Sequence, residues 1–431
     1  MEEVRDPIFA KALVIESNGC KFCILSLDVL LVSEAWATPF RREAAQRFGL
    51  EADAIMICAT QTHSAPALGH HMVESDSDHG LPDNLRWLLG GDDVYHQFAH
   101  ERILDAIERA QENLQAVTVG AASGIEARVA FNRRFVMRDG SGLTHPPTGD
   151  PHIRYAEGPI DPEVGIVSFR NASGTIIAAL LHHTCHPTFG YPHRYISADW
   201  PGAWCDGMRE LLGSDCVPLV INGCCGNIAP HNHLDVHAVH GIDIMGKILT
   251  ETSATILPRI EYKEIETIDW RTLHLPIPWR QFAPEIFTEA RALLAKHPEP
   301  MWTDEAHTTV DWAWVYALSQ AGLERRMQRE AHFNYPIQVF RIGEIALVSV
   351  AGEPFVEGQL QIKLDSPTYP TYVAHMSNVY IGYIPTPAAM THGGYETNAS
   401  NGSKLPPEAL QSIVEATGKL LLESFQLSAT P

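Results

Sequence analysis

The chain has 431 residues, of which 45% are hydrophobic and 19% are charged, as in a globular protein with a large buried core. Its formal net charge of −21 at pH 7 has no basic stripe to offset it, which argues against a nucleic-acid partner. No apolar run reaches the roughly 18 residues that a membrane span requires, and the N terminus lacks the pattern of a signal peptide. Because the cysteines are scattered, we expect reduced thiols and a cytoplasmic location.

Strands and helices are predicted to alternate from the N terminus onward. Two apolar runs within 9–31 flank Asn18 and Gly19, and this pair is the strongest short signal of a β-hairpin. The elements predicted next are a helix (33–50), a strand that runs into a polar segment (57–71), a polar loop (70–93), a helix (94–115) and a strand (125–131).

The rest of the chain continues this alternation. The predicted elements are two paired strands (163–171 and 174–187), a helix (197–213), a strand into a loop (216–230), three helices (237–256, 283–297 and 305–330), a hairpin (337–354), a helix (355–365), a strand into a loop (371–387) and a last helix (406–425). No long Pro-, Gly- or Ser-rich linker marks a boundary. We therefore predict an α/β fold in which residues 1–431 form a single large domain, with mixed β-sheets flanked by helices.

Several apolar runs end in polar segments that carry chemistry. These segments are ATQTH (59–63), HHTCHPT (182–188), NGCCGNIAPHNH (222–233), AGEPF (351–355) and YIGY (380–383). In open α/β sheets, ligands bind beyond the carboxyl ends of the strands, so these termini are expected to surround one cleft.

The side chains at these strand ends include groups that divalent metals bind. Gln61 and His63 lie two residues apart and share a strand face, while His186, Glu353 and Tyr383 supply an imidazole, a carboxylate and a phenol. Such groups are acceptable ligands for zinc. The alternative is that they are hydrogen-bonded strand termini, with His186 capping a strand and Glu353 accepting backbone N–H groups.

Six segments together resemble a known family. They are ATQTHSAP, FNRR (131–134), HTCHPT, GCCGNIAPH, AGEPF and NVYIGYIPTP with GGYET (378–397). Their order and spacing resemble the catalytic domain of the neutral, non-lysosomal ceramidases over nearly the whole chain. The resemblance implies the fold of that catalytic domain, and the immunoglobulin-like C-terminal domain of the family is expected to be absent.

The resemblance also implies a zinc ion and its ligands. By position, His186, Glu353 and Tyr383 match three of the family's zinc ligands, and Gln61 stands where the family has its first ligand histidine. An amide oxygen is a poorer zinc ligand than an imidazole, so the ion is expected to be weakly bound, with water or His63 completing its coordination.

Further residues match positions that contact the substrate in the family. His63 resembles a residue that contacts the substrate carbonyl, and Arg133 and Tyr395 resemble its companions. The nucleophilic serine of the family is replaced by Ala229, and Asn227 stands in place of its aspartate. Because alanine cannot attack a carbonyl, the ceramidase mechanism is not expected in this chain.

Three functions remain open from the sequence. The first is hydrolysis of an amide or ester bond in a small, soluble substrate, in which a metal ion lowers the pKa of bound water to about 7 and Arg133 and Tyr395 stabilise the oxyanion. The second is a hydrolase in which Cys225, activated by a neighbouring histidine, is the nucleophile, although Cys224 and Cys225 are also suited to packing in a tight turn. The third is a non-catalytic homologue with a degraded site that still binds a ligand.

Overall fold

The computed structural model of the chain describes residues 3–72, 83–307 and 309–426, those of 83–85 and 426 by backbone alone. The α-helices in these ranges are α1 (Glu34–Phe48), α2 (Asp93–Glu112), α3 (Asp199–Leu212), α4 (Ile242–Ile256), α5 (Pro284–Lys296), α6 (Trp312–Arg329), α7 (Val356–Asp365), α8 (Pro387–His392) and α9 (Ala409–Gln426). The strands are β1 (Glu3–Val4), β2 (Ala10–Ser17), β3 (Cys20–Leu27), β4 (Ile55–Ala59), β5 (Val117–Ile125), β6 (Phe131–Asn132), β7 (Arg134–Met137), β8 (Gly142–Thr144), β9 (Ile153–Ala156), β10 (Glu163–Asn171), β11 (Ile176–His183), β12 (Tyr195–Ile196), β13 (Val217–Asn222), β14 (Ile228–Ala229), β15 (Ile268–Pro278), β16 (His332–Ile342), β17 (Ile345–Val350), β18 (Glu353–Pro354), β19 (Thr371–Ala374) and β20 (Tyr383–Ile384).

Local signals account for the ends of several elements. The hairpin of β2 and β3 turns at Asn18 and Gly19, whose φ angles of 49° and 81° are both left-handed, as a two-residue turn between twisted strands requires. Helix α1 begins where the Ser33 side chain accepts a hydrogen bond from the Trp36 N–H, and it ends at Gly49 with φ 63°. The predicted hairpin and helix are therefore present, with ends that differ by one to four residues.

Three mixed sheets meet on one shared core. Their strand orders are β2-β3-β4, β5-β10-β11-β13 and β15-β16-β17-β19, and each sheet contains one parallel pair. Phe22, Leu180 and Phe340 come from the three different sheets and lie in the same buried cluster. The rings of Phe22 and Phe340 have centroids 4.6 Å apart. The predicted α/β class with mixed sheets is therefore confirmed.

Helices cover the outer faces of these sheets. Helices α1 and α2 pack with β3 and β4, α3 and α4 pack with β10, β11 and β13, and α7 and α9 pack with β16, β17 and β19. The amphipathic helices bury their apolar faces on the sheets, and this leaves the strand termini to form the loops at the sheet edges.

Several predictions of local structure were wrong at their boundaries, and two of them have a clear physical cause. The strand predicted over 125–131 is divided, because β5 pairs with β10 only as far as Ile125 and the Glu126 side chain then accepts a hydrogen bond from the Arg128 N–H in a turn. The helix predicted over 305–330 begins at Trp312, because the Asp311 side chain caps it. Part of the polar loop predicted over 70–93, namely 73–82, lies outside the described residues.

Two further observations bear on compartment and domain organisation. Among the described residues, every helix is too short or too polar to cross a membrane. All eight cysteines are unpaired. That residues 1–431 form a single domain stays a prediction.

Replacing Phe340 by alanine tests the shared core. Phe340 is fully buried between sheets, so Phe340→Ala is expected to lower the free energy of unfolding by about 3–5 kcal/mol. Urea denaturation measures this loss, and Val94→Ala on α2, at a side chain that is 81% exposed, serves as the control with a change within about 0.5 kcal/mol. Equal stability of the two variants would contradict a core shared by the three sheets.

Candidate active site

The ends of four strands are held together by one residue. Asn222, the last residue of β13, donates from its amide to the carbonyl oxygens of Thr60 at 3.1 Å and of Cys185 at 2.9 Å, and its Oδ1 accepts from the Cys185 N–H at 3.2 Å. Its backbone carbonyl accepts from the His375 N–H at 3.0 Å. Thr60, Cys185 and His375 lie just beyond β4, β11 and β19, so Asn222 brings the polar segments after these strands to one place.

The carboxylate of Glu353 lies at the centre of this place. Its Oε2 accepts a hydrogen bond from Gln61 Nε2 at 2.8 Å and lies 3.0 Å from His186 Nε2. Glu353 comes from β18, which pairs in parallel with β20 so that Glu353 is opposite Tyr383. Burial raises the pKa of Glu353, although Arg133 and His375 oppose this effect. The structure thus gathers residues that are up to 292 positions apart in the sequence.

His186 presents a defined nitrogen to Glu353. Its Nδ1 faces the carbonyl oxygens of Cys225 at 2.5 Å and Ile228 at 3.0 Å, and because both are acceptors, Nδ1 is the protonated nitrogen. Burial lowers the pKa of His186 to about 3, so the imidazole is neutral at pH 7 and Nε2 carries a lone pair. Two acceptors, Nε2 and Oε2, therefore face each other, and they need a proton or a cation between them.

Gln61 is held in an unusual conformation. Its φ angle is 69°, in the left-handed region that residues other than glycine rarely adopt. The amide nitrogen of Gln61 faces Glu353, and its Oε1 accepts from the Cys225 thiol at 3.4 Å. In this orientation Gln61 offers the carboxylate an N–H donor rather than a ligand oxygen. Such local strain is typical of functional sites.

His63 lies beside His186 with an unused nitrogen. The two rings have centroids 5.6 Å apart, and His63 Nε2 is buried without a hydrogen-bond partner in the described part of the chain. Burial, helped by the nearby His186, lowers the pKa of His63 to about 3. A buried polar atom without a partner is costly, so the atom marks a position where a ligand or water would be bound.

Arg133 is buried next to the phenol of Tyr383. Its Nε donates to Glu396 at 2.9 Å, its Nη2 donates to the Gly226 carbonyl at 2.8 Å, and its guanidinium lies 5.5 Å from the centre of the Tyr383 ring. Glu396 is fully buried and also binds Arg134 and the Thr144 hydroxyl. Although burial acts in the opposite direction, the two arginines hold the pKa of Glu396 below its usual value. Arg133 is therefore rigidly positioned.

Two tyrosines line the approach to this cluster. The rings of Tyr383 and Tyr395 meet edge to face with centroids 5.7 Å apart. Tyr383 is buried, whereas Tyr395 is 54% exposed on the short 3-10 turn Tyr395–Thr397. Tyr395 is thus open to solvent beside the cluster, and its predicted role at the oxyanion stays a prediction.

Ala229 and Asn227, which stand where the family that the sequence resembles has serine and aspartate, have structural roles in this chain. Ala229 is fully buried in β14, opposite Phe131 of β6, and has no group that could react. Asn227 donates from Nδ2 to Glu357 at 2.9 Å and accepts from the Val356 N–H at 2.9 Å. Asn227 therefore anchors the start of α7.

Cys225 has the neighbouring histidine that its predicted nucleophilic role requires. Its Sγ lies 3.3 Å from His375 Nε2. However, Cys225 is fully buried, and burial raises the pKa of its thiol well above the ordinary value. A protonated, enclosed thiol is a poor nucleophile, so the geometry argues against this role.

The side chains at this site can be compared with the ligands and distances that zinc requires. In the described residues no group of three or more His, Cys, Asp or Glu side chains is arranged to hold a metal ion. His186 and Glu353 are two such side chains, and two ligands about 2.0–2.1 Å from one tetrahedral zinc are roughly 3.3 Å apart, close to their separation. The phenol oxygen of Tyr383 would be a further donor, whereas Gln61 presents its N–H in this orientation, so the residues fit only a weak zinc site.

Sequence reasoning missed three residues of this site. Asn222 and Glu396 connect elements that are distant in the sequence, and His375 contacts Cys225 directly. The same signal was present for His375 and Asn222, because each stands at the end of an apolar run, β19 and β13 respectively.

Removal of the Asn222 amide tests the convergence of the strand ends. Asn222→Ala leaves two buried carbonyl groups without their donor, and the expected loss in the free energy of unfolding is about 2–4 kcal/mol. Thermal and urea denaturation measure it. The control is Asn113→Ala at the exposed end of α2, whose effect should be smaller by at least about 1 kcal/mol. If Asn222→Ala is as stable as the wild type, other contacts hold the strand ends.

Comparison with known proteins adds the fold relationship. No family model and no curated protein matches the sequence. Among solved structures, the neutral ceramidase from Pseudomonas aeruginosa matches with a TM-score of 0.70 and 17% sequence identity over 98% of this chain and 70% of that chain. A ceramidase complexed with C2 matches with a TM-score of 0.70 and 16% identity over 97% of this chain and 70% of that chain. The chain therefore has the fold of the neutral ceramidases, as its sequence motifs predicted.

Proposed function

We propose that this protein is a hydrolase of an amide or ester bond in a small, polar substrate and that it uses a zinc ion. The observation that carries the proposal is the pair of His186 Nε2 and Glu353 Oε2, two acceptors that face each other at 3.0 Å. The fold that the chain shares with the neutral ceramidases supports the same chemistry. His186, Glu353 and Tyr383 would hold the ion, with Gln61 as a weak neutral ligand.

When bound, zinc supplies a Lewis acid and lowers the pKa of water. The chain's own residues orient the substrate. The buried Arg133, fixed by Glu396, provides a positive charge beside Tyr383, where negative charge develops on a carbonyl oxygen. Tyr395 would add an O–H donor from the exposed side, and the unpaired Nε2 of His63 would accept a hydrogen bond from the substrate or from water.

The surroundings of the site favour a polar substrate. Tyr380, whose pKa is raised by burial and by the nearby Glu353, also lines a cavity of about 400 Å³. The lining of this cavity includes Glu34, His332, Glu330, Arg326 and Lys404. A cavity with so many charged groups is unsuited to a long alkyl chain, because burying charge against hydrocarbon is unfavourable.

The cellular location and an alternative non-catalytic function are each proposed from a separate observation. We propose a cytoplasmic location, which the eight unpaired cysteines support. A non-catalytic binding homologue remains the second candidate, because Ala229 lacks a nucleophilic group and Gln61 lacks an imidazole. Turnover of any amide or ester by the purified protein separates the two candidates.

Zinc binding by a Gln61 variant tests the proposed metal site. Gln61→His adds an imidazole to His186 and Glu353, and because an imidazole is a stronger zinc ligand than an amide, zinc retention should rise by about tenfold or more. Dialysis against a chelator followed by metal analysis measures retention, and chelator should also abolish hydrolysis by the wild type. The matched control is Gln111→His on α2, far from the site in the fold.

Two results would contradict the metal site. One is tight zinc binding by the wild type that Gln61→His leaves unchanged, because Gln61 would then lie outside the ligand shell. The other is hydrolysis that a chelator does not affect.

A serine at position 225 distinguishes the metal from the thiol mechanism. If zinc activates water, Cys225→Ser should reduce kcat/KM by no more than about tenfold, because the hydroxyl keeps a donor for Gln61. If Cys225 is the nucleophile, the loss should be at least about a thousandfold. Steady-state assays on the best substrate from an amide and ester screen decide between the two.

A further inference from the structure

The Gln61 amide lies between two groups of opposite hydrogen-bonding character. On one side its nitrogen donates to the Glu353 carboxylate at 2.8 Å, and on the other its oxygen accepts from the Cys225 thiol at 3.4 Å. Gln61 is buried, and its backbone N–H is bound to the Val29 carbonyl at 3.1 Å. The side chain is therefore fixed in place, and its remaining freedom is the choice of which end faces Glu353.

Rotation of the terminal amide by half a turn exchanges its oxygen and nitrogen without changing its shape. After this rotation the oxygen would face Glu353 and the nitrogen would face Cys225. Two acceptors side by side repel each other, so the rotated form is stable only when a cation lies between the amide oxygen and the carboxylate. The amide orientation and cation binding are therefore linked.

The thiol of Cys225 is able to serve both amide orientations because it has a second partner. His375 Nε2 lies 3.3 Å from Sγ. When the thiol donates to the Gln61 oxygen, the present orientation is satisfied. When the thiol turns its hydrogen to His375, the sulfur becomes an acceptor for the rotated amide N–H. All three side chains are buried, so water is not an alternative partner.

We propose that Cys225 and His375 set the affinity of the site for divalent cations by allowing the Gln61 amide to turn its oxygen toward the ion. This proposal rests on the proposed function, because it concerns the same metal site. It assigns Cys225 and His375 as specificity-determining residues that act through Gln61, and neither residue touches the ion. The Cys225 thiol stays protonated throughout, and no bond is made or broken.

Zinc affinity in a double-mutant cycle tests the proposal. Cys225→Ala removes the thiol from both amide orientations, but the buried N–H that it leaves unpaired in the rotated form is costlier than the oxygen that it leaves unpaired in the present form, so the Kd for zinc should rise about five- to tenfold. Cys225→Ser keeps a group that donates and accepts, so its Kd should stay within about twofold of the wild type. Calorimetric titration of the purified full-length chain with zinc chloride measures the Kd values, and thermal unfolding verifies that each variant is folded.

The control for the role of Gln61 is the Cys225→Ala substitution made in a Gln61→Ala variant, which lacks the amide. In Gln61→Ala, zinc binds to His186, Glu353 and Tyr383 alone, and adding Cys225→Ala should change the Kd by less than about twofold. His375→Phe is a second variant that removes the alternative partner of the thiol while keeping a ring. It should weaken zinc binding about as much as Cys225→Ala does, provided that Gln61 is present.

Each outcome is decisive. If Cys225→Ala weakens zinc binding equally with and without Gln61, the thiol acts on the site in another way and the proposal is wrong, while the proposed function stands. The same holds if Cys225→Ala and His375→Phe bind zinc as the wild type does. If the wild type and Gln61→His both fail to bind zinc, the proposed function and this proposal are wrong together.

Discussion

Asn222 uses one buried amide to hold three strand ends at fixed distances from one another. Its side chain satisfies backbone groups of Thr60 and Cys185, which would otherwise be buried without partners, and its carbonyl receives the N–H of His375. An unsatisfied buried carbonyl is costly, so the strands after which these residues lie have little freedom to move apart. Gln61, His186 and His375 inherit their positions from this constraint.

The site combines paired buried charges with neutral imidazoles. Arg133, Arg134 and Glu396 form a buried ionic network on one side, whereas His186 is neutral because burial lowers its pKa to about 3. Buried charges persist only when they are paired, and buried imidazoles lose their proton. A neutral imidazole with a free lone pair is the form in which histidine binds metals.

The sequence allowed much of the local structure to be predicted, because local signals act over a few residues. Asn18 and Gly19 specify a hairpin wherever they occur between apolar runs, and Ser33 with Gly49 limits α1 by caps. The polar residues at strand ends were also recognisable, since one such end is readily explained as a hydrogen-bonded terminus but their recurrence in several segments favours one shared cleft. The boundaries that failed, such as the start of α6, depended on a single capping side chain.

By itself, the sequence determined the class of the fold, the positions of most helices and the identity of Gln61, His186, Glu353 and Tyr383 as candidate ligands, because alternation, caps and strand-end chemistry are written in short segments. Only the tertiary structure decided which end of the Gln61 amide faces Glu353 and that His375 lies against Cys225. These contacts join residues 292 and 150 positions apart. They follow from the packing of three sheets on one core, and no local pattern encodes the relative placement of separate sheets.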